Sequence, residues 1–257
     1  MNTDVTAPSS TALEMRQDCL AEYRQLLTQQ LDDAERQWWS QAQEQLARRP
    51  DPTTTALLSS QCKRHLKEHA LPGKADWSTV QLTRALLLAQ VLEQQSAAEQ
   101  LPLLRQLFLW GDDQEKIALL KALDWLDSQG ACVELALQAG RTSNSQVFAA
   151  LALDTLYPSR HYDNRAFHQL VLKALGMGLD LRRLLGLTQR RSVSLNQLAL
   201  DLLAEQLAAE RTVSAGLPRV IDFDLLSPAQ RQRLVGLGQQ HRLPPEWHDD
   251  LAHIPMN

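Results

Sequence analysis

What this 257-residue chain lacks narrows its reading early. Cysteine occurs three times, at Cys19, Cys62 and Cys132. An odd, widely spaced set argues against a disulfide framework and fits reduced thiols in a cytoplasmic protein. Aromatic residues make up only 5% and β-branched residues are sparse, so extended sheet is not expected. No apolar run approaches the roughly 18 residues that a membrane span needs, the longest lying around Ala85–Leu92. The start, MNTDVTAPSSTALEMRQDC, has neither a basic opening nor an apolar core, so no secretory signal is expected. Gly-rich phosphate loops, Cys-x-x-Cys pairs and a Ser-His-Asp context are all missing, which removes support for nucleophilic catalysis.

What is abundant is Leu, Ala, Gln, Glu and Arg, the strong helix formers, and the expectation is an all-α fold. Leu20, Tyr23, Leu27, Leu31, Ala34, Trp38 and Ala42 recur at spacings of three and four, predicting one long helix or two in line over Leu13–Ala47. A second helix is predicted over Thr53–Ala70, closed by Pro72-Gly73, and a third, capped by Asp76, running to about Gln95. Pro102 suits the first position of the next helix, with Gly111 as its stop. Asp112 or Asp113 caps QEKIALLKALDWLDSQ, which Gly130 ends. Short helices follow at Cys132–Ala139 and from Asn144 or Ser145 to Tyr157.

Further on, Asp163 caps a helix carrying Phe167, Leu170, Val171, Ala174 and Leu175, and another spans Ser192 to about Arg211. SAGLPRVIDFD reads as a loop holding an apolar arm, and Ser227-Pro228-Ala229-Gln230 as a helix start. The tail LPPEWHDDLAHIPMN is either docked or frayed. Short helices joined by tight turns predict antiparallel pairs in an irregular HEAT-like α-solenoid or helical array, with no clean internal repeat. The chain divides into an N-terminal helical region (1–100), a helical core (101–213) and a C-terminal arm and helix (214–257), read as one continuous domain.

Charge is unevenly spread. Eight Lys or Arg stand against three Asp and no Glu between Arg141 and Arg191, so that segment is +5 and the remainder of this −4 chain is −9. A basic island in an acidic chain points to an anionic partner, unless helix faces differ in charge without consequence. Nucleic acid is not expected, given the negative total and the absence of a recognised binding motif.

Two histidine groups invite a metal reading. HLKEH (His65–His69) matches the H-x-x-E-H of inverted zinc proteases, and Cys62 would share one helical face with His65 and His69. Against this, histidines in a last helical turn already face the helix dipole favourably, and Leu58, Cys62, His65, Leu66 and His69 form one stripe. His161 and His168 flank a cap with Asp163 nearby, where backbone carbonyls would equally satisfy them. Neither group is assigned a metal, and no cofactor is expected.

The anion reading has a more specific basis. Arg160, His161 and Tyr162 are read as a loop feeding a helix start, and Arg190-Arg191 precede another, where free N–H groups and the helix dipole favour anions. The planar guanidinium fork suits phosphate or carboxylate. Arg160, Arg190 and Arg191 would hold the anion, His161 and Tyr162 would orient it, and Lys173 and His168 complete the candidate set. Alternatively, the arginines cap helix C-termini or pair with Asp163 and Asp180.

The same stretches carry a family resemblance. RTSNSQVFAALAL, YPSRHYDNRAFHQLVLKAL and LRRLLGLTQRRS, with the lead-in WGDDQEKIALLKALDWL, resemble the EboA family over about Trp110–Val213. The motif positions are Arg141, Thr142, Asn144, Tyr157, Pro158, Arg160, His161, Gln169, Lys173 and Arg190. His168 stands where the family usually has Asn, and Gly176 where a bulky residue is usual, so a catalytic amide at 168 is not carried over. Asn144 and Gln169 are read as structural hydrogen-bonders between helices.

The resemblance implies a place in a secondary-metabolite biosynthesis or export pathway, with no settled activity. The expectation is therefore a non-catalytic binding or adaptor protein whose basic face meets an anionic small molecule or another protein of that pathway. The alternative is an enzyme acting on a phosphorylated or prenylated intermediate, with His161 or His168 as acid–base.

Overall fold

Helix ends in this chain are set by side chains that take up backbone N–H groups, and these caps divide it into elements. A computed structural model describes residues 12–247 and 251. The described residues divide between Leu151 and Ala152 into two compact units. The architecture is an all-α helical array with one small hairpin.

The first unit holds α1 (Gln17–Gln30), α2 (Asp33–Arg48), α3 (Pro52–His65), the antiparallel strands β1 (Ala70–Leu71) and β2 (Lys74–Ser78), α4 (Thr79–Glu93), α5 (Ala97–Trp110), α6 (Asp113–Leu126), α7 (Val133–Ala139) and α8 (Ser145–Ala152). The periodic stretch Leu13–Ala47 is two helices. Asp32 accepts the Glu35 N–H at 2.9 Å while Glu35 takes the Asp32 N–H at 2.8 Å, a reciprocal cap that fixes the break. At the centre lies α4, whose Leu82, Ala85, Leu87, Ala89, Val91 and Leu92 have no exposed surface. A helix buried on most of its sides belongs inside, and α1, α2, α3 and α6 cover it. Each such leucine contributes about 1.5–3 kcal/mol on burial.

Four expectations need correction here. The helix predicted over Thr53–Ala70 stops at His65, because Glu35, itself buried, accepts the Lys67 N–H at 2.7 Å and turns the chain out. Residues 70–78 then form the hairpin, turning at Gly73, whose φ of 71° suits glycine. Ser78, not Asp76, caps α4, since Asp76 lies in β2. Pro102 sits inside α5, which starts five residues earlier at Ala97, after Ser96, whose N–H and hydroxyl both donate to Glu99. Finally, α6 ends at Leu126 rather than at Gly130. The buried Asp127 carboxylate accepts the N–H groups of Gly130, Ala131 and Cys132 at 3.1, 3.0 and 2.7 Å and closes the turn into α7.

The second unit holds α9 (Tyr157–His161), α10 (Asn164–Gly176), α11 (Val193–Ala208) and α12 (Pro228–Gln239). Single 3-10 turns at Leu181–Arg183, Thr188–Arg190, Leu217–Arg219, Phe223–Leu225 and Pro245–Trp247 join or follow them. The helix expected to run to Tyr157 ends at Ala152, since Asp154 adopts φ 57°. The apolar arm Val220-Ile221 is buried beside the turn at Leu217–Arg219, and Ser227 caps α12 as its sequence predicts. Trp247 is buried, whereas residues 248–250 and 252–257 of the tail, like residues 1–11, lie outside the described residues. No helix among the described residues is long and apolar enough to cross a membrane.

Candidate functional site

The segment Tyr157–Leu175 is built by local rules. Thr155 Oγ1 accepts the Tyr157 N–H at 3.1 Å, Pro158 sits in the first turn of α9, and the Asp163 carboxylate caps α10 through the Ala166 N–H at 2.7 Å. Arg160 and His161 therefore occupy the last turn of a short helix, not the loop that the sequence suggests. Loss of further helix comes from Tyr162, whose extended backbone (φ −76°, ψ 142°) turns the chain before the next cap. The His161 ring lies tilted against Tyr157, centroids 4.7 Å apart. Arg160 is exposed, and Lys173 is half-buried on α10. Tyr162 is buried, its hydroxyl has no hydrogen-bond partner among the described residues, and burial raises its pKa.

Arg190 ties this segment to the chain ahead of α11. Its guanidinium donates to the carbonyls of Ser159 and Tyr162 at 2.6 and 3.0 Å and to Asn164 Oδ1 at 3.0 Å. It also lies 4.6 Å from the centroid of the Phe167 ring. The carbonyls that a one-turn helix leaves unpaired are thus taken up by a charged fork. Behind it, the buried His168 places Nε2 3.5 Å from Ser192 Oγ, the hydroxyl that caps α11. Burial first, and then the Arg190 charge, lower the His168 pKa.

Arg191 points to a different place. Its Nε and Nη2 donate to the Arg219 carbonyl at 2.9 and 2.5 Å, and its side chain lines a pocket of about 640 Å³ with Arg182 and Arg219. The remaining wall includes Asp180, Ser214, Leu179, Leu181, Pro218, Ile221 and Phe223. Asp180 holds Arg182 through paired bonds of 2.8 Å, and this hydrogen-bonded cation lowers the Asp180 pKa to about 2. The Arg219 guanidinium makes no hydrogen bond or ion pair among the described residues. Three arginines thus line the pocket with one carboxylate, and among the described residues Arg191 is held by a carbonyl and makes no ion pair.

Of the residues singled out from the sequence, Arg191 reaches this pocket, while Arg190, His161, Tyr162 and His168 form the neighbouring brace. Sequence reasoning named Asp180 only as a pairing partner for arginines, and missed Arg182, Arg219 and the apolar wall as parts of a pocket. Arg182 was visible as part of the basic run LRR, but nothing in that run says which arginine lines the pocket. The motif positions Arg141, Thr142 and Asn144 belong to the first unit. There Asn144 caps α8 through the Gln146 N–H at 2.9 Å and donates to Asp113 at 2.7 Å. Gln169 lies exposed on α10.

The HLKEH string does not share a helical face. Cys62 is buried in α3, His65 ends that helix stacked on Trp38 at 5.0 Å, and His69 lies beyond the helix against Thr79. Among the described residues, no group of three or more His, Cys, Asp or Glu is placed to hold a metal ion.

A family model described as "Metabolite traffic protein EboA" matches residues 19–222. The match reaches well before Trp110, into the helices whose sequence carries no assignable motif. No curated protein and no solved structure matches the chain. Because the family model runs from within α1 to the turn after Ile221, taking in the brace and most of the pocket wall, the chain belongs to the EboA family of metabolite traffic proteins.

Proposed function

We propose that this chain is a non-catalytic binding protein that holds an anionic small molecule in the arginine-lined pocket of its second unit, within a pathway that makes or exports a metabolite. The observation that carries this reading is the convergence of Arg182, Arg191 and Arg219 on a pocket of about 640 Å³ with a single carboxylate among them. That volume falls in the range of about 300–1,000 Å³ typical of small-molecule sites. Neither His161 nor His168 lines the pocket, which favours binding over an acid–base reaction there. The family description supports traffic of a metabolite without saying which one.

Isothermal titration with inorganic phosphate and pyrophosphate tests the reading, with Arg219→Gln as the control. The Arg219 side chain is exposed and makes no hydrogen bond or ion pair among the described residues, so the substitution should leave folding stability within about 0.5 kcal/mol. Affinity should fall at least about tenfold if the guanidinium meets the anion, since bonds to a charged group are worth roughly 1.5–3 kcal/mol. Absence of heat and of thermal stabilisation with both probes would sink the proposal.

A further inference from the structure

The pocket is far larger than an anion's head. A bare oxyanion fills a few times the roughly 30 Å³ of one water, against a pocket volume of about 640 Å³. Part of the rest of the wall is apolar. Leu181, Pro218 and Ile221 are almost fully buried and back the cavity, while the half-buried Leu179 and Phe223 turn apolar surface towards it. Water against such a wall gains no partners, so filling that volume with hydrocarbon is favourable.

The arginines are arranged asymmetrically around it. Asp180 already occupies the fork of Arg182 with parallel bonds, the geometry by which guanidinium recognises carboxylate and phosphate. Arg191 is held in place by the Arg219 carbonyl, and the Arg219 side chain makes no hydrogen bond among the described residues. Two cationic groups are thus left for one head, and an apolar face is left for what the head carries.

We infer that the ligand is an amphipathic organic anion: one phosphate or carboxylate head seated on Arg191 and Arg219, with a hydrocarbon body laid against Leu179 and Phe223. This rests on the anion-site reading above and narrows it to a ligand class. The body supplies affinity through buried area, and the head fixes orientation.

Titration with inorganic phosphate, ethyl phosphate, octyl phosphate, octanoate and octanol, all below their aggregation concentrations, tests it. Each buried methylene should raise affinity up to about fourfold, so octyl phosphate should bind at least about tenfold tighter than ethyl phosphate. Phe223→Ala should shrink that difference and leave inorganic phosphate unchanged, with thermal unfolding confirming that the variant folds. Arg219→Gln should weaken octyl phosphate and octanoate together and leave octanol alone. Equal affinity for ethyl and octyl phosphate would overturn the amphipathic ligand while leaving the anion site standing. Octanol binding as tightly as octyl phosphate would overturn the role of the head, and no binding by any probe would overturn both readings.

Discussion

The two units hold themselves together differently. Among the described residues, the first contains six helices of 14–16 residues, and its central helix α4 is buried on most of its sides. The second, among the described residues, interleaves four helices with five three-residue 3-10 turns. There Arg190, Arg191 and Arg231 each donate two hydrogen bonds to backbone carbonyls. Long helices bring enough side chains to fill the space between them. Short turns do not, so their unpaired carbonyls recruit charged side chains. The comparison teaches where a pocket can arise: in the unit whose framework is polar and interrupted.

The sharpest way to break this contrast is to attack each framework in its own currency. Leu87→Ala in α4 removes a side chain with no exposed surface and should cost about 2–5 kcal/mol, read from urea denaturation. Arg190→Ala should cost about 2–3 kcal/mol by stranding the Ser159 and Tyr162 carbonyls. Arg190→Lys should recover little, because an ammonium cannot span three acceptors with one planar fork. An Arg190→Ala protein as stable as wild type would show that the second unit rests on its apolar contacts after all.

A smaller effect is expected at Gly186, where φ is 78° and an added Cβ would collide with Ser159. Gly186→Ala should cost about 1–2 kcal/mol, and a second change, Ser159→Gly, should return part of it. The smallest is a pH effect. His168 has a folded pKa below its ordinary 6.5, so folding favours the neutral ring. Its contribution is complete above about pH 6.5 and is lost as pH falls below that value, since the unfolded chain then binds the proton more readily. His168→Asn should flatten this part of the stability–pH curve between about pH 7 and 5. An unchanged slope would place the titrating group elsewhere.

How legible all this was depends on the range of the interaction. The caps at Asp112, Asp163, Ser192 and Ser227 lie within three residues of the groups they satisfy, and sequence pattern finds such pairs. The hairpin at 70–78 was hidden because it is dictated from outside itself. Glu35 takes the Lys67 N–H, and Thr79 Oγ1 donates to the Lys67 carbonyl, drawing the chain out of helix. The site was half legible for the same reason. Helical and motif logic led to Arg190 and Arg191, but the pocket takes its wall from residues 178–182, 191 and 214–223, stretches without a period to read.

One contact has a consequence for how this sequence can vary. The Asp154 N–H donates to the Arg183 carbonyl at 2.8 Å, and its carboxylate receives the Arg183 guanidinium, so the chain leaves and returns at a single point. Everything between, α9 and α10 included, is a closed excursion. Residues added at the exposed turn around Gly176–Gly178 would lengthen that excursion without shifting the chain before Asp154 or after Arg183. Each doubling of a flexible loop costs only about 0.6 kcal/mol. Relatives should therefore differ in length there more readily than at the buried junction of Asp127 with Cys132, where one carboxylate counts out its three N–H groups.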